Sequence, residues 1–249
     1  MINPINANYS YRNINFTSKD PDIRWADDIA RKVNKVYTRV SPSLVLDYPN
    51  LDKFPGMRER YKEKYWKFRD EKSEARGDLY EEGTLMDEIR VGPDLVYSHR
   101  MGNCGDSAEL SALAAKINGI ENFTIGCLDS SDTGDLDHEV LVVNEGKKPY
   151  IIDSWLGFAD YVPKAIERYK SEYGYHFDLS GDDSEVIEVL TYPTKTVLRI
   201  NMASKEELQE AFPELMLPKT KKESKELGFR DKNKNFSGSG CDAKLDIKA

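Results

Sequence analysis

Apolar residues recur along this chain with two periods, and the switch between them marks the elements. Over residues 22–40, Trp25, Ile29, Val33, Val36 and Val40 fall three or four apart, which predicts an amphipathic helix with one buried face. The SPSLVLDYPN that follows carries two prolines, and the missing N–H and fixed φ of proline end a helix. Residues 57–76 are helical in character, with Tyr61, Tyr65 and Phe68 as the stripe among many charges. Residues 79–91 read as a shorter helix interrupted by Gly83. The clearest helix runs over 105–117, where Leu110, Leu113, Ala114 and Ile117 share a face. Asp106 and Glu109 sit in its first turn, where carboxylates favour the helix dipole, and Asn118-Gly119 closes it.

Beyond that helix the period drops to two. Residues 123–128 read as one strand, HEVLVVN from His138 as a second and YIIDSW from Tyr150 as a third, joined by the acidic DSSDTGDLD and the turn EGKKP. A helix is expected over 163–173, with proline in its first turn. Residues 185–190 and 195–200 are two further strand candidates on either side of TYPT, and Ser204 with Glu207 forms a capping box for a last helix. Residues 1–20 form a polar, Asn-rich arm, and FSGSGCDAKLDIKA carries too few large apolar residues to pack. The pattern predicts an α+β fold with helices on one side of a mainly antiparallel sheet. It divides into an N-terminal helical segment (1–95), a core (96–218) and a flexible basic tail (219–249).

Composition narrows the functional classes. The 249 residues are 39% hydrophobic and 32% charged, enough for a sizeable core in a soluble chain. No apolar run approaches the roughly 18 residues that span a bilayer, so no membrane role is expected. MINPINANYSYRN lacks the apolar centre of a signal peptide, so a cytoplasmic working place is expected, with a specialised export route left open. The net charge of −8 is uneven: residues 219–249 carry +4 and the remainder −12. A body this acidic repels phosphate backbones, so nucleic acid is not an expected partner. The cysteines, Cys104, Cys127 and Cys241, are odd in number and hold no CxxC pair, so neither a disulfide framework nor a structural zinc site is expected. The acidic turn with Asp129, Asp132, Asp135 and Asp137 lacks the spacing and distal Glu of an EF-hand and reads as a solvated loop.

Three residues on this map form a candidate site. Cys104 stands at the mouth of the clearest helix, between Gly102 and Gly105, where unpaired N–H groups and partial positive charge favour a thiolate. His138 opens one strand and Asp153 closes the next. A short turn between antiparallel strands brings those two ends together. A carboxylate there can fix one imidazole nitrogen and leave the other for the thiol. Asp137 is a competing partner for His138, but adjacent strand residues point to opposite faces. Cys127 alternates with Phe123 and Ile125 and is expected in the core, whereas His99 is expected to play a surface role. The aromatics Tyr61, Tyr65, Trp66 and Phe68 are expected to pack on the core.

The residues GNCGDSAELSALAAKINGI, DHEVLVVN and PYIIDSWLG resemble the core of the transglutaminase-like superfamily of papain-like cysteine enzymes. The motifs are G-x-C at Gly102 to Cys104, D-H-x-hydrophobic at Asp137 to Val140, and D-x-W at Asp153 to Trp155, and they span about sixty residues. The resemblance implies a papain-like arrangement with Cys104 as nucleophile, His138 as base and Asp153 as its orienter. It implies amide chemistry through an acyl-thioester, passed to water or to an amine, without cofactor or metal. The Cys104 backbone N–H would be one oxyanion donor. Asn103 is a candidate second donor, and Trp155 either walls the cleft or packs on the helix. The implied partner is a protein substrate, and bacterial effectors that act on host proteins share this core. Two other classes remain open at this point: a binding module that kept the fold and lost catalysis, and a host-directed scaffold that docks through the helical N-terminus.

Overall fold

The alternation over residues 123–143 is realised as the centre of a five-stranded antiparallel sheet in a computed structural model of the protein. The structure describes residues 21–36, 55–130, 138–144, 148–172 and 187–218. The N-terminal arm, the basic tail and the acidic turn at 131–137 lie outside the described residues. Residues Ser18–Met216 form one compact unit. No helix among the described residues is long and apolar enough to cross a membrane.

Among the described residues, four helices come first: α1 (Pro21–Val36), α2 (Met57–Glu82), α3 (Leu85–His99) and α4 (Cys104–Ile117). The strands β1 (Phe123–Ser130), β2 (His138–Val143), β3 (Tyr150–Asp153) and β4 (Phe158–Tyr161) follow. The chain then forms α5 (Val162–Glu172), β5 (Ile187–Tyr192), α6 (Lys195–Met202) and α7 (Lys205–Ala211), and ends this unit in a 3-10 turn at Pro213–Leu215. The sheet order is β4-β3-β2-β1-β5. The architecture is α+β.

The helices cover both faces of the sheet rather than the single face expected. Leu128, Val140, Val142 and Ile151 pack with Phe158 and with Ala165 and Tyr169 of α5. Successive strand residues face opposite ways, so Leu141, Val143 and Ile152 look toward the other face, where α4 packs on β2 and β3. Both faces are therefore dry, which is why β2 reads as an almost continuous apolar run. Helix α4 is buried on nearly every side: Ala112, Ala114 and Ala115 are inaccessible along with Leu110, Leu113 and Ile117. Its alanines let α1, α6 and α7 approach a central helix. It ends as expected, with Gly119 at φ 92° and a bond from Ile120 N–H to Ala115 C=O, a closure that needs the left-handed conformation.

Three elements depart from the expected pattern. Residues 195–200 form helix α6, not a strand. The Thr194 hydroxyl accepts from Val197 N–H at 3.1 Å, and Val197 and Ile200, three apart, are the buried positions while Leu198 is exposed. The β-branched composition suggested a strand, but the cap and packing against α3 and α4 overrule that propensity. Helix α3 begins at a capping box of Thr84 with Asp87 and continues through Pro93 to His99 instead of stopping near residue 91. Burial of Gly92 and Pro93 against α2 compensates the one lost bond. Strand β4 was not expected; it adds an outer edge to β3 through pairs such as Ile152 with Ala159.

Candidate active site

Local capping sets the position of Cys104. The Asn103 side chain accepts from Asp106 N–H at 3.0 Å, and the Asp106 carboxylate accepts from Asn103 N–H at 2.8 Å. This capping box makes Cys104 the first residue of α4 and leaves the helix's positive end beside its thiol. Asn103, a candidate second oxyanion donor from the sequence, caps the helix through its Oδ1, and its side chain also bonds to Tyr65. Asp106 is buried and paired with Lys72 of α2, which lies 3.6 Å from Glu109 as well. Arg76 completes the cluster with a 2.5 Å bond to Glu109. The first-turn carboxylates of α4 are therefore anchored to a helix of the N-terminal third, a link that helix-dipole reasoning alone did not reveal.

His138 and Asp153 meet at the same edge. The antiparallel register of β2 and β3 pairs Leu141 with Ile152 and Val143 with Tyr150, and sets Asp153 toward the start of β2. His138 Nε2 lies 2.8 Å from Asp153 Oδ2, with both residues buried. The Cys104 thiol is in hydrogen-bonding reach of the same imidazole. Because Nε2 is taken by Asp153, Nδ1 is the nitrogen left for the sulfur. Burial alone would lower the pKa of His138. The Asp153 charge, the bond to it, and the bond and charge of Cys104 outweigh burial and raise the pKa to about 10.

Asp153 is held by more than the histidine. Tyr169 of α5 donates its hydroxyl to Oδ2 at 2.9 Å, and Leu156 N–H donates to Oδ1 at 2.9 Å. Tyr169 is inaccessible, and its ring meets that of His138 edge-on at 5.9 Å. Sequence reasoning missed it. The Ala165–Tyr169 spacing of four on the buried side of α5 was the available signal. Trp155 packs its ring 5.2 Å from that of His138, so it walls the imidazole, and its buried indole N–H has no acceptor among the described residues. The 153–155 segment is fixed from both sides. Ser154 bonds to Ser111 of α4 at 2.6 Å, and Asn34 of α1 donates to the Ser154 carbonyl at 2.7 Å.

The remaining candidates lie elsewhere or differ from expectation. Cys127 is half-buried rather than in the core, because it pairs with Glu139 and Leu190 at the open end of the sheet. His99 binds Glu71 at 2.7 Å and rests on the ring of Phe68, away from the Cys104 cluster. Among the described residues, no group of three or more His, Cys, Asp or Glu is arranged to hold a metal ion. The arrangement presents a thiol, an imidazole that can hold a proton, and a carboxylate that fixes the imidazole. These are the parts required for nucleophilic attack with proton transfer. Compared with protein-family models, curated proteins and solved structures, the chain matches none.

Proposed function

We propose that this chain is a cysteine hydrolase or acyltransferase of transglutaminase-like type, acting on an amide of a protein substrate. The observation that carries this reading is the buried His138, bonded to Asp153 on one side and in reach of Cys104 on the other. Cys104 attacks the carbonyl carbon as thiolate, and the Cys104 N–H at the start of α4 steadies the oxyanion. His138 delivers its proton to the leaving amine, and an acyl-thioester remains on Cys104. Water or an amine then attacks the thioester, His138 accepts the proton, and the thiolate leaves. Asp153 keeps His138 in one orientation and balances its charge throughout. The donors that Tyr169 and Leu156 present to Asp153 keep the carboxylate from turning away. The working place consistent with this reading is a cytosol, with a host protein as one substrate class.

The test is the alkylation rate of each cysteine against pH, read by peptide mass spectrometry on the folded protein. Rapid alkylation of Cys104 at about pH 6, slowed by His138→Ala, is the expected result. A Cys104 that reacts as an ordinary thiol, indifferent to His138, would favour the binding-module reading. Incubation with a candidate protein substrate then separates the reactions by mass: cleavage, an amine adduct, or an increase of about one dalton for deamidation.

A further inference from the structure

One carboxylate beside Cys104 has no part in the chemistry above. Glu139 follows His138 on β2 but points to the opposite face of the sheet, toward the start of α4. A Cβ at residue 105 would collide with Glu139 Oε2, so the carboxylate occupies the space that any side chain at 105 would take. Its other oxygen accepts a hydrogen bond from the Tyr192 hydroxyl of β5. Glu139 is half-buried, and among the described residues it has no basic partner. Every other carboxylate at the start of α4 is paired with a cation: Asp106 with Lys72, and Glu109 with Lys72 and Arg76.

The surface next to Glu139 is open. Across the strands its neighbours are Cys127 and then Leu190, and Leu190 is 49% exposed. Among the described residues, no helix covers this end of the sheet face as α4 covers Leu141 and Ile152. A held negative charge, a small apolar shelf and the residue adjacent to Cys104 therefore share one corner. Deepening the proposed reading of Cys104 as a nucleophile, we propose that Glu139 selects a basic side chain, Lys or Arg, on the substrate beside the amide that Cys104 attacks. The helix N-terminus and the Tyr192 hydroxyl hold the carboxylate in place when the cation is absent. The arriving ammonium or guanidinium then forms an ion pair that is partly shielded from water.

Three small thiol reagents of the methanethiosulfonate type test this, one trimethylammonium, one uncharged and one sulfonate. Their rates at Cys104 are read by peptide mass spectrometry at low ionic strength. The wild type is expected to favour the cation over the anion about five- to tenfold beyond the ratio at Cys104 in Glu139→Gln, the background set by the rest of the protein's charge. Added salt should shrink the preference. It should invert in Glu139→Lys and persist in Tyr192→Phe, which keeps the charge. A wild-type ratio equal to the background, or a preference that survives Glu139→Gln, overturns the proposal. Glu139→Ala supplies the same background and keeps the test decisive if Glu139→Gln fails to fold. Slow reaction of Cys104 with all three reagents would count against the nucleophile reading, while the ratio of their rates would still report on Glu139.

Discussion

His138 Nε2 lies 2.8 Å from Asp153 Oδ2, inside a pocket closed by Trp155 and Tyr169. Burial and charge act on this imidazole in opposite directions, and the charge prevails, with the pKa raised to about 10. Asp153→Asn removes the largest raising influence and leaves burial in place. The histidine pKa, followed by NMR of the imidazole, should drop well below that of the wild type, with the Cys104 contribution remaining. The raised folded pKa also sets a sign for stability. The contribution is fully present below the unfolded value of about 6.5 and is lost as pH rises through about 10. Denaturation across that window should show this loss in the wild type and not in Asp153→Asn.

Cys104 also raises the His138 pKa. Cys104→Ala should therefore abolish any turnover and lower the histidine pKa by less than Asp153→Asn does. Cys127→Ala should leave both activity and the histidine titration largely intact. The opposite pattern of activity loss would sink the assignment of the nucleophile.

Tyr169→Phe keeps the ring against His138 and Phe158 and removes only the hydroxyl. A hydrogen bond to a charged group contributes roughly 1.5–3 kcal/mol, so the unfolding free energy should fall by about that amount, seen as a lower denaturation midpoint with an unchanged slope. A midpoint identical to that of the wild type would show that water replaces the hydroxyl at no cost.

Lys72→Met strands Asp106 as a buried carboxylate without its cation, at the position that caps α4. Breaking such a pair typically costs about 3–5 kcal/mol. Adding Asp106→Asn to Lys72→Met should recover much of the loss, because the amide needs no cation and can still bond to Asn103 N–H. Equilibrium unfolding of the two variants checks this, and equal destabilisation of both would contradict it.

The elements that carry Cys104, His138 and Asp153 were legible because each rests on a local signal. Glycines and first-turn carboxylates mark the start of α4, and period-two runs mark β2 and β3. Antiparallel pairing across a short turn then brings His138 near Asp153. Asn103 and Asp106 stand three apart, a capping signal that the reading of Asn103 as an oxyanion donor passed over; its Oδ1 caps α4. The strand expected at 195–200 failed because KTVLRI is too short for its apolar positions, Val197, Leu198 and Ile200, to fix a period, and the Thr194 cap with burial of Val197 and Ile200 decides for a helix.

By itself, the sequence determined the order of elements around the site and the types of group that could meet there. Helix caps, turns and hydrophobic periods depend on residues within a few positions of one another, so they are written in the chain. Tertiary structure decided which distant groups complete the site. Tyr169 reaches Asp153 across 16 positions, Lys72 reaches Asp106 across 34, Tyr192 reaches Glu139 across 53, and Asn34 reaches Ser154 across 120. Such pairs leave no local period. They form because α1, α2, α5 and β5 pack around α4 and the sheet, and a buried polar group must find a partner among whatever that packing brings within reach.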